Sequence, residues 1–166
     1  MAFRLSKRSQ ARLLGVHPAL RQIVERAIVL TQFDFGVTSG VRSVAEQAKL
    51  VSSGRSQTMR SRHITGHAVD VVAIQSGAAI WDWPPYNMIA DAFKAAADES
   101  DVIIRWGGAW SVNDFTNYDG SAEDAMSDYV ALRRSQGRRP FLDGPHFELP
   151  RAIWGDDNPA AGERSA

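Results

Sequence analysis

Apolar residues recur at two different periods along this chain, and the switches between them mark out its elements. Leu20, Ile23, Val24, Ala27, Ile28 and Thr31 follow the i, i+3, i+4 spacing of one helix face, which predicts an amphipathic helix over 18–31 with Pro18 in its first turn. A short basic helix is expected before it, over 6–14, ending at Gly15. Phe33 to Thr38 reads as a strand, and Ser43-Val44-Ala45-Glu46 has the form of a capping box, opening a helix that Gly54 ends. Residues 68–74 read as a strand, Pro84-Pro85 opens a helix to about Ser100, Val102 to Arg105 returns as a strand, and a helix fits 122–136. Helices alternating with a few short strands predict an α+β fold, a small antiparallel or mixed sheet packed against several helices. Residues 151–166 are polar and rich in Pro and Gly, as a frayed, flexible tail would be.

One position breaks the pattern. Asp70 places a carboxylate inside the apolar run Ala68-Val69-Asp70-Val71-Val72-Ala73-Ile74, where a charge must be paired, protonated or coordinated to a metal. Asp143-Gly144-Pro145-His146-Phe147-Glu148-Leu149 forms a second cluster, with an imidazole and two more carboxylates. Catalytic zinc commonly keeps three protein ligands and one open position, and without cysteine the ligands here must be nitrogen and oxygen. His63 precedes Gly66, where the chain can turn, and Asp70 lies on the strand that follows; His146 completes a candidate set from a second strand. His67 competes, because His63 and His67 have the i, i+4 spacing of the HExxH metallopeptidases. Gly66 lies between the two and the Glu is missing, so His67 reads as a pocket residue or as one that orients a ligand. Each candidate also has a plainer reading: Asp70 as a buried ion-pair partner of Arg42, Arg42 as a solvated turn residue, His17 as a structural histidine, and Trp106 to Trp110 as core.

The two clusters resemble those of the zinc peptidases that include phage L-alanyl-D-glutamate endolysins, D-alanyl-D-alanine carboxypeptidases and vancomycin-resistance D,D-dipeptidases. Their pattern S-x-H-x-x-G-x-A-x-D is matched at Ser61, His63, Gly66, Ala68 and Asp70, and their acid-x-x-His, followed in the endolysin branch by Phe-Glu, at Asp143 and His146-Phe147-Glu148. The branch's G-x-R and W-G-G-x-W segments appear as Gly40-Val41-Arg42 and Trp106-Gly107-Gly108-Ala109-Trp110. The resemblance runs from about Leu14 to Leu149 in the same order. It implies zinc held by His63, Asp70 and His146, with Asp143 as general base and Arg42 stabilising the developing oxyanion. Ser61, Gln47 and Trp106 would meet substrate, and Glu148 would orient an imidazole. Asp rather than Glu at position 143 tilts the resemblance toward an endopeptidase that cuts the L-alanyl-D-glutamate bond of the peptidoglycan stem, acting as a phage or prophage endolysin. A D,D-carboxypeptidase and a non-catalytic zinc-stabilised wall-binding module are the alternatives.

Between Trp110 and Asp143 lie 32 residues, more than is usual in that branch. Residues 112–140 are therefore expected to be an insert near the active site, a rim or lid or else a solvated decoration, within a single domain over 1–150. The net charge is zero, yet residues 1–70 carry 11 Lys/Arg against 4 Asp/Glu. A basic front half can steer toward an anionic wall or simply complement the acidic back half. No basic-aromatic module points to nucleic acid. No apolar stretch reaches the roughly 18 residues of a membrane span, and an N-terminal signal core is missing. The expectation is a monomer made in the host cytoplasm that reaches the wall through a holin-type lesion.

Overall fold

The computed structural model describes residues 2–163. Two short segments open it, α1 (Lys7–Arg12) and the longer α2 (Pro18–Leu30), followed by β1 (Phe35–Ser39) and α3 (Val44–Ser52). β2 (Ala68–Gln75), β3 (Ala78–Ile80) and α4 (Trp83–Glu99) come next, then β4 (Arg105–Trp106), α5 (Ala122–Ser135), β5 (His146–Glu148) and α6 (Arg151–Trp154). The sheet runs β1-β2-β5-β4, with β3 pairing the far end of β2, and every pairing is antiparallel. The α+β architecture read from the alternation of periods is the one the chain adopts.

The helical face of α2 buries Leu20, Ile23, Val24, Ala27 and Ile28, as the spacing predicts, and packs against α4 and the sheet. His17 caps α2, its Nδ1 accepting from the Ala19 amide at 3.2 Å. The capping box at α3 is formed from both sides: Ser43 Oγ accepts from Glu46 N and Glu46 Oε2 from Ser43 N. Along β2 the alternation of a strand sends Val69, Val71 and Ala73 into the helix-covered core and turns Asp70 to the opposite face. Phe147 on β5 stacks on Phe93 of α4 with centroids 3.8 Å apart, so its neighbours His146 and Glu148 face the same way as Asp70.

The register then decides which residues meet. Asp70 lies opposite His146 on one side and Ser39 on the other. The pairing of β1 shifts between Val37 and Ser39, a bulge of the kind that re-aims side chains beside active sites, and the hydroxyl of the extra residue, Thr38, donates to the Asp70 carbonyl at 3.2 Å.

Two expectations are corrected. The strand expected over Val102 to Arg105 is only Arg105–Trp106, because Thr116 Oγ1 takes the hydrogen bond of Ile104 N, donates its own to Val102 O, and so replaces a strand neighbour. The polar segment after Leu149 packs back on the domain up to the last described residue; residues 164–166 of the expected tail lie outside the described residues. Asn158 Nδ2 donates to the carbonyls of Gly15 (2.8 Å) and Thr65 (3.0 Å), Gly15 N donates to Glu163, and Ala160 is buried. Side-chain bonds to backbone carbonyls leave no apolar period, so composition alone reads the segment as solvated.

Candidate active site

The site is built on the face of the sheet turned away from the helical core, where β2 and β5 run side by side. Asp70 Oδ1 lies 3.2 Å from His63 Nε2 and 3.1 Å from His146 Nδ1, and the three ligand atoms fall within 4.8 Å of one another. His63 Nδ1 donates to the Gly40 carbonyl at 2.8 Å; a carbonyl can only accept, so Nε2 keeps the lone pair that faces Asp70. Glu148 Oε2 accepts from His146 Nε2 at 2.9 Å and leaves Nδ1 for the centre. Two nitrogens and an oxygen converging at one point, each imidazole oriented by a carbonyl or carboxylate behind it, suit a divalent cation of zinc type.

Electrostatics agree with that arrangement. Burial penalises a charged Asp70, but the adjoining His63 and His146 hold its carboxyl well below the usual carboxylate range. Burial likewise disfavours a charged His146, yet its hydrogen bonds to Asp70 and Glu148 push its pKa up to about 10. A dication at the centre would take the place of that proton. Glu148 is held below its ordinary pKa despite burial, by His146 and then by Arg105, whose Nη1 is 3.2 Å from Glu148 Oε1.

Asp143 enters from the turn before β5. That turn is clamped to the W-G-G segment: Asp143 N donates to Gly107 O at 2.9 Å and Gly107 N to His146 O at 2.8 Å. Any Cβ on Gly107 would run into the Asp143 backbone, so the close approach requires glycine here. Burial raises the pKa of the Asp143 carboxyl; the nearby Asp70 adds to the rise, while His146, His63 and Arg42 oppose it. A carboxylate shifted upward in this way is a better proton acceptor than an ordinary aspartate.

Arg42 reaches Asp70 directly. Its Nη2 donates to Asp70 Oδ2 and Ser39 Oγ, both at 3.0 Å, while Nη1 donates to Gln47 Oε1 at 3.0 Å. The ion pair with Asp70 and the ligand role are therefore compatible: Oδ2 serves the arginine and Oδ1 faces the imidazoles. Ser61 lines the cleft and its Oγ accepts from His63 N at 3.3 Å.

Gln47 and Trp106 are not where substrate contact would need them. Gln47 is fully buried and its Nε2 donates to Ser56 Oγ and Thr58 O, so it holds Arg42 and the following loop in place. Trp106 is fully buried in the core with Phe115 and Phe147, its Nε1 donating to Gly144 O at 2.9 Å. The tryptophan on the cleft is Trp110, with its ring 5.2 Å from that of His146 and the Arg105 guanidinium 5.2 Å over it. Trp106 ends β4 and pairs with core-facing Phe147, whereas Trp110 lies in the turn beyond the strand.

His67 serves a different cluster. It is fully buried, its ring 5.0 Å from that of His17, with Nδ1 at Thr65 Oγ1 and Nε2 at the Asp157 carbonyl. Burial, then the Arg62 charge and His17, lower its pKa to about 4. Arg62 is buried too, donating from Nε to Leu149 O and from Nη1 to Gly155 O and Asp156. At Gly66, φ is +75° and a Cβ would collide with Asn158 and the Gly15 carbonyl, which explains the glycine between the two histidines.

The cleft over these groups has a volume of about 810 Å³, within the usual range of ligand sites. Trp110 and Phe141 line it, but residues 112–140 between them are not among its lining residues. Phe115 instead fills the core and α5 packs Ala122 and Ala125 into the same core beside α4, so the segment expected as a rim or lid is anchored on the helical side.

Comparison with known proteins agrees with the geometry. A family model described as phage L-alanyl-D-glutamate peptidase matches residues 1–150. The L-alanyl-D-glutamate peptidase of Escherichia phage T5 is 30% identical over 153 residues, covering 90% of this chain and 99% of that protein. The enzyme of the same name from Listeria phage A118 is 39% identical over 71 residues, 43% of this chain and 24% of that one. Among solved structures, the Serratia marcescens L-Ala D-Glu endopeptidase ChiX superposes with a TM-score of 0.70 at 37% identity, covering 92% of this chain and 94% of that one.

Proposed function

The chain belongs to the phage L-alanyl-D-glutamate peptidase family, and from that premise we propose that it is a zinc-dependent endolysin cutting between L-alanine and D-glutamate in the peptidoglycan stem. The observation that carries the reading is the convergence of His63 Nε2, Asp70 Oδ1 and His146 Nδ1 beside Asp143, a carboxylate whose pKa is raised. Zinc held by those three side chains supplies Lewis-acid chemistry, polarising a carbonyl and making water a nucleophile near neutral pH.

The remaining work belongs to the chain's own residues. Asp143 takes a proton from the attacking water and returns it to the amine of D-glutamate as the peptide bond breaks. Arg42, fixed by Gln47 and Ser39, offers its remaining N–H groups to the carbonyl oxygen as negative charge grows there. Ser61 and Trp110 border the bound stem, and Glu148 keeps His146 in the tautomer that presents Nδ1. Host lysis is the setting we assign. No helix among the described residues is long and apolar enough to cross a membrane, and passage to the wall through a phage-made membrane lesion fits that reading.

Digestion of purified peptidoglycan, with the new termini identified by mass, tests the assignment. A new D-glutamate amino terminus is the expected product; released D-alanine would replace the reading with a carboxypeptidase. Chelation should abolish the activity and added zinc restore it.

A further inference from the structure

Glutamate has two carboxyl groups. Whichever of them continues the stem, the other stays free, so the substrate proposed above carries a carboxylate within one residue of the bond that is cut. A cleft built for it needs a cation that the protein has not already neutralised.

The cleft is lined by several arginines, and most are committed. Arg42 pairs with Asp70, Arg105 with Glu148, and Arg62 and Arg151 both with Asp156. Arg55 and Arg60 also line it, are exposed, and form no ion pair among the described residues. Their backbone is nevertheless held. Arg55 N and Ser56 N both donate to Leu50 O (2.9 and 3.1 Å), and Arg60 N donates to Thr58 Oγ1 at 2.9 Å. Buried Gln47 then grips Ser56 Oγ at 2.8 Å and Thr58 O at 2.7 Å with the same amide group whose oxygen holds Arg42. One buried side chain thus sets the position of this loop relative to the reaction centre, while the two guanidinium groups stay open to an anion. The planar fork of arginine matches a carboxylate in two parallel hydrogen bonds.

We propose that Arg55 and Arg60 bind the free carboxylate of the D-glutamate on the leaving side of the scissile bond, and so select an acidic residue there. This rests on the functional reading above. Two synthetic stem peptides test it, one with that carboxyl free and one with it converted to the amide, each assayed with the wild type, Arg55→Gln/Arg60→Gln and Arg55→Lys/Arg60→Lys.

The wild type should favour the free acid. The double Gln variant should raise KM for the acid about tenfold, the scale of one lost charge-assisted hydrogen bond, with kcat within about twofold of wild type. Its KM for the amide should not move, and the Lys variant should keep most of the preference. A rise in KM equal on both peptides, or no change on either, would overturn the inference while leaving the function standing. A wild type that cut neither peptide between alanine and glutamate would overturn the functional reading and this inference with it.

Discussion

Glu148 accepts a hydrogen bond from His146 Nε2 at 2.9 Å, and this contact between residues two apart on one short strand decides which ring nitrogen points to Asp70. The imidazole is oriented before any ion arrives. Removing the carboxylate frees the ring to rotate and lowers its basicity, so Glu148→Ala should weaken zinc binding by about 10- to 100-fold. Competition against a chromophoric chelator measures this directly, and unchanged affinity would leave Glu148 with no part in the centre.

Asp143 lines the cleft with His63, Asp70 and His146 but is not in the group that could hold an ion. Asp143→Ala should keep zinc at one equivalent and keep the fold, while turnover drops by about 10²-fold or more, the scale of general-base catalysis. Because burial raises its pKa above the ordinary 3.8, the Asp143 carboxyl of the metal-free protein should titrate at a higher pH than an ordinary aspartate when followed by NMR. Full activity in the variant would exclude the role.

Trp106 and Trp110 should fail in different ways. Trp106 is fully buried against Phe115 and Phe147, so Trp106→Ala should cost about 3–5 kcal/mol of stability. Trp110→Ala should alter KM for the stem peptide with a smaller loss of stability, because its ring borders the cleft. Thermal unfolding beside steady-state kinetics separates the two, and the reverse pattern would reverse the assignments.

His67 makes stability depend on pH in one direction. The folded chain keeps it unprotonated down to about pH 4, whereas the unfolded chain takes a proton near the ordinary 6.5. Between those values the unfolded state binds more protons, so this contribution is present above pH 6.5 and is lost as pH falls toward 4. Arg62 and His17, which face the ring, oppose its protonation. His67→Gln should therefore show a flatter dependence of Tm on pH than wild type across that window; parallel curves would count against it.

Asn158 lies beyond the residues 1–150 matched by the family model, yet it ties Gly15 to Thr65 in the loop that carries His63. Asn158→Ala leaves two carbonyls short of a donor and should cost about 1–3 kcal/mol. Denaturant unfolding of the full chain reads this, and a change within error would make the contact dispensable.

The sequence by itself determined the helices up to α5 and the long strand, since each is written in neighbouring residues, and it pointed to the chemistry proposed for the centre. The face of α2, the capping box at Ser43 and the carboxylate in the middle of β2 follow from local spacing and from the cost of burying a charge. His63, Asp70, His146 and Asp143 were legible as a set through the resemblance that their motifs carry. Only the tertiary structure decided what each side chain faces. Pairing with β5 buries Trp106, while the turn that follows carries Trp110 to the cleft, and neither outcome depends on tryptophan itself. Gln47 is one turn from Arg42 in sequence, but that its amide also clamps Ser56 and Thr58 depends on how the loop folds back. The segment after Leu149 has no apolar period and is held through bonds to carbonyls far away in the chain. The same physics separates the two cases: periodicity and charge burial act within a few residues, whereas register, clamps and ion-pair partners are settled by contacts between segments that only the folded chain brings together.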